Sequence, residues 1–376
     1  MSDNGNHVSR RTVIKTTGGA LATTGVVGLA SADPDERVTV NVGTNGRRSV
    51  RAARNAATTV KREFEFGAMT LELPKQAAEN VATRSDVRYV EENGEMHALD
   101  DYMPYGIDRV DADVAHANGY TGAGADVSII DTGIDADHPD LQANLGEGRD
   151  FTGSGTWDDS NGHGTHCAGT ASALDNNEGV VGVSTEATLH AAKVLGGGGG
   201  GSYSDIAAGI EWTANQGYEV GSMSLGGGYS NVVADACEYA YDSGVLLVAA
   251  AGNDGPCSDC VGYPAALPEC IAVSATNQSD NLADFSSTGS EVEIAAPGVD
   301  VWSTYAGGGY EQLSGTSMAC PHVAGAAAQI MAYDWSNTDT RNRLRETAED
   351  IGLSSNERGY GLLDVAALLG LDSSDN

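Results

Sequence analysis

The sequence predicts an α/β fold, a doubly wound and mostly parallel sheet preceded by a small ferredoxin-like α+β unit. Short apolar runs rich in β-forming residues recur in the second part of the chain, at residues 127–130, 189–194, 221–225, 245–250 and 270–275. Helix-compatible stretches lie between them, among others at residues 205–216 and 232–242. This alternation is typical of parallel strands with helices on both faces of the sheet. A shorter block before residue 100 follows a different order and predicts a separate domain.

The first 32 residues are typical of an export signal of the twin-arginine type. Arg10 and Arg11 precede a Gly/Ala-rich apolar run over residues 16–29, and Ala30-Ser-Ala32 offers a small-residue cleavage site. The run is too short and too often interrupted to span a bilayer. We therefore predict export of a folded protein, secreted and free of the membrane once the signal is removed. An N-terminal anchor that is never cut is the alternative.

Residues 33–99 predict a small α+β domain. In chain order the block shows the patterns of a strand, a helix, two strands, a helix and a strand, at residues 38–42, 49–59, 64–73 (around Gly67), 75–83 and 87–92. This order is that of a ferredoxin-like unit. A domain that folds independently and stays attached is the alternative to a segment that is removed.

The negative charge of the chain is concentrated in its second part. The whole sequence carries a formal net charge of −33, and residues 100–376 hold 7 Lys+Arg against 41 Asp+Glu, with Lys193 as their one lysine. Such a charge repels itself in dilute buffer and is screened in concentrated salt, where the Debye length falls to about 3 Å at 1 M. We predict adaptation to high salt, with an acidic calcium-binding surface as the alternative. A nucleic-acid partner is disfavoured because phosphate binding needs a basic surface.

Three short segments carry residues suited to nucleophilic catalysis. Asp131 opens Asp-Thr-Gly-Ile-Asp directly after a predicted strand, and His163 opens His-Gly-Thr-His-Cys-Ala-Gly. Ser317 lies in Gly-Thr-Ser-Met-Ala-Cys-Pro-His-Val-Ala-Gly, at a predicted helix start where backbone N–H groups favour an oxyanion. Asp, His, Ser is one of three chain orders that build the same geometry. Each segment alone also fits a cap, a turn or a core histidine, but the three in this order predict a nucleophilic serine.

With these motifs the chain resembles the subtilases, the subtilisin-like serine proteases, over roughly residues 37–369, and within them the halolysin group. The resemblance implies a serine endopeptidase in which Ser317 attacks the scissile carbonyl, His163 transfers the proton and Asp131 holds the imidazole. Asn253 matches the family position whose side-chain amide joins the Ser317 N–H in the oxyanion hole. Halolysins often carry a C-terminal extension, and we predict none after residue 369.

The resemblance also assigns the domains and their partners. Residues 33–99 match the subtilase pro-domain, which templates folding, acts as a transient inhibitor within its own chain and is cut off after Leu99. The remaining catalytic domain, residues 100–376, is then expected to be a monomer that acts on polypeptide substrates.

A substrate groove is implied in the same way. The glycine run 196–201 and Tyr203 match the family segment that pairs with an extended peptide by β-augmentation, and residues 224–227 match the opposite wall. Glycine at 227 and 262 leaves room for a large apolar or aromatic residue before the cut. A surface loop without a role is the alternative for the glycine run. The implied substrate-binding residues are Gly199, Gly200, Gly201, Tyr203, Ser224, Leu225, Gly226, Gly227 and Gly262.

The segment 174–180 resembles the high-affinity calcium loop of the family. Oxygen ligands from several segments suit Ca²⁺, and a polar surface loop without metal is the alternative. The implied ligands are the side chains of Asp101, Asp140 and Asn176 and the carbonyls of Leu174, Glu178 and Val180.

The cysteines and one further histidine complete the candidate residues. Cys167 and Cys320 are predicted to be buried thiols near the active site, and the resemblance supports a free thiol at Cys167. The other four cysteines allow three pairings, of which we favour Cys257–Cys260 with Cys237–Cys270; a zinc ion at Cys257 and Cys260 is the minor alternative. His166 is predicted to be structural, since zinc-binding histidine pairs on helices are usually spaced i, i+4 with a Glu between them.

The sequence thus predicts a secreted, calcium-stabilised and salt-adapted serine endopeptidase of broad specificity. A catalytically inactive, exported subtilase-fold binding or scaffold protein is the main alternative. That role would not need Asp131, His163, Ser317 and Asn253 together, which argues against it. A processing protease of narrow specificity would instead predict bulky or charged residues at positions 227 and 262.

Overall fold

The chain forms two compact units, residues 1–98 and residues 99–376. The computed structural model describes residues 37–93 and 102–372. The predicted signal, residues 1–32, and the predicted cleavage point after Leu99 lie outside the described residues. Within the described parts, no helix is long and apolar enough to cross a membrane.

The first unit is a four-stranded antiparallel sheet with two helices, in the predicted ferredoxin-like order. The strands are arranged β2-β3-β1-β4, and Val42, Leu71 and Val90 of the sheet pack with Ala53 and Val81 of the helices. The elements are β1 (Arg37–Thr44), α1 (Arg47–Ala56), β2 (Thr59–Phe64), β3 (Ala68–Pro74), α2 (Lys75–Ala82) and β4 (Val87–Glu92).

The predicted helix 49–59 ends early. Helix α1 stops at Ala56 and strand β2 begins at Thr59, which pairs with Glu72 of β3. The β-branched residues Thr59 and Val60 favour a strand over a helical turn, because their side chains lose χ1 freedom in a helix.

The second unit contains a seven-stranded sheet in the order β11-β10-β9-β8-β5-β7-β6. Every neighbouring pair in this sheet is parallel, so the predicted fold class is confirmed. Its strands are β5 (Asp126–Asp131), β6 (Leu145–Asp150), β7 (Thr188–Lys193), β8 (Val220–Met223), β9 (Leu246–Ala250), β10 (Cys270–Thr276) and β11 (Val292–Pro297); a separate antiparallel hairpin follows, β12 (Val301–Tyr305) and β13 (Gly309–Leu313).

Helices cover both faces of the large sheet, and each face has its own core. Ile129 of β5 belongs to one apolar cluster, with Ala168 and Val323, and the next residue Ile130 belongs to the other, with Ile210 and Val233. The helices are α3 (Tyr105–Arg109), α4 (Ala112–Ala117), α5 (His163–Ser172), α6 (Tyr203–Gln216), α7 (Asn231–Asp242), α8 (Thr316–Met331), α9 (Asn337–Thr347), α10 (Ser355–Arg358) and α11 (Val365–Leu368), with a short 3-10 turn at Gln142–Asn144.

Glu293 and Lys193 are charged groups buried in this second unit. Glu293 on β11 forms ion pairs with Arg341 (2.6 Å) and Arg345 (2.8 Å) of α9, which fasten that polar helix to the sheet. Lys193 ends β7 with 1% of its surface exposed, and its Nζ donates to the backbone carbonyl of Asp158 at 2.7 Å. The sole lysine of residues 100–376 is therefore an internal group.

Candidate active site

Asp131 and His163 meet at the carboxyl end of the sheet. Asp131 is the last residue of β5 and fully buried, and His163 is the first residue of α5. His163 Nδ1 lies 2.8 Å from Asp131 Oδ1. The carboxylate attracts the imidazolium and raises the pKa of His163, against the opposing effect of burial. The pair thus orients the ring and stabilises its protonated form.

Threonines around this pair fix where α5 begins. Thr132 Oγ1 accepts from Gly164 N at 2.9 Å. Thr165 Oγ1 accepts from Asp135 N at 3.0 Å and donates to Asp159 Oδ2 at 2.7 Å. These bonds tie the start of α5 to two segments that precede it in the chain, and neither threonine was assigned this role from the sequence.

Ser317 is the second residue of α8, close to the N-terminal end of the helix dipole. Its hydroxyl donates to the carbonyl of Ser224 at 3.3 Å, and Ser224 Oγ donates to the Ser317 carbonyl at 2.8 Å. Cys167, one turn after His163 on α5, donates from its Sγ to the same Ser317 carbonyl at 3.4 Å. Cys167 therefore joins α5 to the start of α8, and Ser224 joins that start to the segment after β8.

Asn253 is held beside Ser317 by Thr316. The side-chain oxygen of Asn253 accepts from Thr316 N at 2.9 Å and from Thr316 Oγ1 at 3.0 Å. Thr316 Oγ1 in turn accepts from Gly252 N at 3.1 Å. With its oxygen engaged, the amide nitrogen of Asn253 points toward the start of α8, 3.4 Å from where a Cβ on Gly315 would lie. This orientation leaves the NH₂ group available as a donor.

A cleft of about 460 Å³ extends from His163 between the two predicted walls. Eight of the nine predicted substrate-binding residues line it, namely Gly199, Gly200, Gly201, Tyr203, Ser224, Leu225, Gly226 and Gly227. The ninth, Gly262, lies outside this cleft, and a Cβ built on it would stand 3.9 Å from the carbonyl of Gly227. The apolar lining of the cleft includes residues that the sequence did not mark, Leu195, Ile206, Val233 and Leu267.

Most of the predicted calcium ligands converge around Asp140. This carboxylate is fully buried, and its oxygens accept from Asn176 Nδ2 at 3.2 Å and from Val180 N at 2.9 Å. Leu174 N donates to the Asp140 carbonyl at 3.1 Å, and Glu178 lies in the same loop. The contacts to Asp140 are made by N–H groups of the loop, while its carboxylate, the Asn176 amide and the loop carbonyls carry oxygens of the kind that a hard cation takes. Asp101 lies outside the described residues.

One predicted cysteine pairing is wrong in the structure. Cys257 and Cys260 form a disulfide, but Cys237 and Cys270 are separate thiols with their sulfurs 4.0 Å apart. This separation is about twice the length of an S–S bond. The pair comes from α7 and β10, and their packing brings the two thiols into contact without joining them.

The other cysteines and His166 are buried within the unit, as expected. Burial raises the pKa of the Cys167 thiol and raises that of Cys320 to about 11. His166 shares a nitrogen contact of 3.0 Å with the carbonyl of Val301, and burial lowers its pKa to about 4. These groups stay uncharged at neutral pH and so act as packing residues.

Comparison with known proteins gives the same assignment as the fold. Residues 122–362 match the Subtilase family. Subtilisin amylosacchariticus of Bacillus subtilis subsp. amylosacchariticus is 44% identical over 316 residues, 82% of each chain. An alkaline protease of Alkalihalobacillus alcalophilus is 45% identical over 310 residues, 81% of this chain and 80% of its own. Subtilisin DY of Bacillus licheniformis is 48% identical over 270 residues, 70% of this chain and 98% of its own. The chain therefore belongs to the subtilase family and is a subtilisin-like serine endopeptidase.

Proposed function

We propose that Asp131, His163 and Ser317 carry out peptide-bond hydrolysis in this protein. The observation that supports these roles most directly is the 2.8 Å contact between His163 Nδ1 and Asp131 Oδ1. It keeps the Nδ1 proton on the Asp131 side of the ring and leaves the Nε2 lone pair free to accept the Ser317 proton. Ser317 then attacks the scissile carbonyl, and His163 returns the proton to the leaving amine.

A serine-reactive sulfonyl fluoride tests this assignment against the scaffold alternative. The reagent should abolish hydrolysis in a one-to-one reaction, because an activated hydroxyl displaces fluoride far faster than an ordinary serine. Peptide mapping should place the added mass on Ser317. An intact, folded protein that takes up no label, or takes it up at another serine, would contradict the assignment.

Asn253 is proposed as the side-chain donor of the oxyanion hole. We expect Asn253→Ala to lower kcat by about 10²–10³-fold with little change in KM, the size of effect known for the corresponding donor of a subtilisin. The donor acts mainly on the charge that develops in the transition state, so kcat is the parameter that should change.

Steady-state kinetics on one peptide substrate check this prediction. Asn215→Ala, at an exposed position on α6, is the matched control and should keep wild-type kinetics. Equal kinetics of the Asn253 variant and this control would rule out an oxyanion role for Asn253.

We propose that the cleft binds extended polypeptides between the glycine run and residues 224–227. Gly227 is already paired on both sides of its backbone with Tyr263, N–H to O at 2.8 Å and O to N–H at 3.1 Å. Among described residues, Gly226 makes no such backbone bond, so its N–H and C=O are available to a peptide strand. Backbone pairing tolerates many sequences, and the apolar lining of the cleft beside Gly227, which has no side chain, favours a large apolar residue before the cut. Cleavage sites in a denatured protein can be mapped by mass spectrometry. A single narrow sequence motif around these sites would refute the proposal.

The Asp140 loop is proposed to hold a structural Ca²⁺. The buried Asp140 carboxylate in contact with the loop 174–180 supports the ion, which would join the segment after β5 to that loop. We expect chelation to lower the Tm of the wild type on the order of 10 °C, because a bound ion at about 1,000 times its Kd contributes about 4 kcal/mol. In the presence of calcium, the Asp140→Asn variant should have a lower Tm than the wild type. Chelator should then lower the Tm of this variant by much less than it lowers that of the wild type.

Asp175→Asn is the matched control for this prediction. It removes the same charge from an exposed position in the same loop but no proposed ligand. Calorimetric scans of the three proteins, each with calcium and with chelator, make the comparison. Identical responses from both variants would show that net charge, and not coordination by Asp140, governs the effect.

Export, maturation and adaptation to high salt are also proposed from the sequence. We propose twin-arginine export directed by residues 1–32, an inhibitory pro-domain at residues 33–99, and a halolysin-like adaptation of a monomeric catalytic unit to high salt. Arg10→Lys with Arg11→Lys should trap the protein inside the cell.

Thermal melts at increasing salt should show rising Tm, since screening relieves the repulsion among the acidic groups; a flat dependence would refute salt adaptation.

A further inference from the structure

The glycine run 196–201 forms one wall of the cleft, and its two ends are anchored by neighbouring elements. Val194 N and Leu195 N, just before the run, donate to the carbonyl of Asp131 at 2.9 and 3.0 Å. Ser202, just after it, is the N-cap of α6. Glycine has more backbone freedom than other residues, so six glycines in a row do not define their own conformation. The middle of this wall therefore needs contacts from other segments to hold it in place.

Bonds within the run fold it into a turn but do not tie it to the rest of the unit. Gly196 N donates to the carbonyl of Gly200 at 2.9 Å, and Gly199 N donates to the carbonyl of Gly196 at 2.8 Å. Among the described residues, one hydrogen bond reaches the run from another segment: Asn161 Nδ2 donates to the carbonyl of Gly197 at 3.0 Å. Asn161 is thus the polar anchor of the turn.

The Asn161 side chain also reaches the start of α5. Its Oδ1 accepts from His163 N at 3.2 Å, while its Nδ2 is bonded to Gly197. The amide therefore bridges the first residue of α5 and the glycine run, and both Asn161 and His163 line the cleft. A peptide paired with the run must present its scissile bond to His163 and Ser317. The bridge thus links the wall proposed to bind the peptide to the residues proposed to cut it.

Tyr305, the last residue of β12, holds the backbone of Asn161. Its hydroxyl donates to the Asn161 carbonyl at 3.0 Å, and Asn161 N donates to Asp159 Oδ1 at 2.8 Å. The Tyr305 ring also lies against Gly162, where a Cβ would stand 2.2 Å from it. These contacts fix the two residues directly before His163, and no motif in the sequence marked Asn161 or Tyr305 for this role.

We infer that Asn161, held by Tyr305, is a positioning residue of the substrate groove: it fixes the glycine run beside His163, so binding of an extended peptide depends on its amide. The inference rests on the proposed substrate groove. The N–H and C=O of Gly201 make no hydrogen bond among the described residues, so they are available to such a peptide. A substrate too short to reach the run does not use this wall and should not depend on Asn161.

The test compares Asn161→Asp with the wild type on two nitroanilides, one of acetyl-phenylalanine and one in which three alanines precede the phenylalanine. Aspartate keeps an oxygen for His163 N but has no N–H for the Gly197 carbonyl. KM for the longer substrate should rise by about tenfold, since one hydrogen bond is lost and an unpaired acceptor is left in its place. Its kcat, and both parameters for the short substrate, should stay near those of the wild type.

The pH of this comparison is set well above the pKa of His163, which Asp131 raises. A carboxylate at position 161 then leaves the protonation of the ring unchanged. Calorimetric scans confirm that each variant is folded.

Tyr305→Phe tests the hydroxyl that holds Asn161 while keeping the ring against Gly162. KM for the longer substrate should rise by about threefold, less than in Asn161→Asp, because the Asn161 side chain keeps its own bonds. Tyr239→Phe is the matched control. It removes a hydroxyl hydrogen bond of 2.8 Å, to Asn215 Oδ1, from an exposed tyrosine on α7 and should match the wild type on both substrates. This comparison decides the matter alone if Asn161→Asp does not fold.

Two results would overturn the inference alone. One is an unchanged KM for the longer substrate in the folded variants, which would mean that the run keeps its place without Asn161. The other is an equal loss on both substrates, which would mean that Asn161 acts through His163 and not through the run. A wild type that cleaves the longer substrate no better than the short one would overturn the proposed groove as well, so the two failures are distinguishable.

Discussion

Ser317→Ala is expected to lower kcat by about 10⁶-fold, the loss known for the nucleophile of a subtilisin. The hydroxyl forms the covalent bond to the substrate, and no neighbouring group can replace it, since the Cys167 and Cys320 thiols are buried and burial raises their pKa. The same change should stop self-processing. Intact mass and N-terminal sequence should show wild type beginning at Asp100 while the variant retains residues 33–99.

Ser314→Ala is the matched control, an exposed serine three residues earlier that should keep both activity and processing. If Ser317→Ala is processed like the wild type, another protease makes the cut. If the variant retains hydrolytic activity in a highly purified sample, Ser317 is not the nucleophile.

Asp131→Asn is expected to lower kcat by about 10⁴-fold, because an amide no longer holds the imidazole in the required tautomer. The pH profile should change as well. In the wild type Asp131 raises the pKa of His163, so activity is lost as pH falls through that raised pKa and is full above it. Without the carboxylate, burial lowers the pKa of His163, and the acidic limb of the residual activity should move to lower pH.

The same strand supplies a matched control. Asp126, at the other end of β5, is also bonded to a histidine, with its Oδ1 2.9 Å from His190 Nε2. Asp126→Asn should keep kcat within a few-fold and leave the acidic limb in place. An equal loss in both variants would mean that Asp131 acts through the stability of β5 and not through His163.

The catalytic residues could be predicted from the sequence because each stands at the end of a regular element within a short motif. Asp131 ends a strand, while His163 and Ser317 open helices, so local patterns place all three at one edge of the sheet. Asn253 follows the predicted strand at residues 245–250, but its role as an oxyanion donor came only from the family resemblance. The two threonines that hold the site, Thr165 and Thr316, act through hydrogen bonds to distant segments, and no local pattern reports such bonds.

Other features depend on packing that the sequence does not display. Strand β6 (Leu145–Asp150) was missed because Gly146 and Gly148 read as breakers of a strand. In the structure a Cβ on Gly148 would stand 2.2 Å from the Trp157 ring, and one on Gly146 would stand 2.3 Å from His190, so both glycines make room for side chains laid across the strand. Helix α9 was missed because its buried contacts are charged, with Arg341 bonded to Glu293.

The apolar lining of the cleft and the cysteine pairing could not be predicted from the sequence for the same reason, because both depend on how the elements pack. Ile206, Val233 and Leu267 come from α6, α7 and the segment before β10, and they meet only when these elements pack. Ile206 could have been found, since it lies one helical turn after Tyr203. The distance between Cys237 and Cys270 is likewise set by the packing of α7 on the sheet, which the spacing of cysteines cannot give.

The buried position of Lys193 has a practical consequence for covalent chemistry. It is the sole lysine of residues 100–376, with 1% of its surface exposed. Once residues 1–99 are removed as proposed, the folded enzyme offers acylating reagents one accessible primary amine, the α-amino group at its start. An activated ester would therefore attach a dye, a surface or a polymer at a single end. Unprocessed chains, which still carry the exposed Lys61, would take up more than one label.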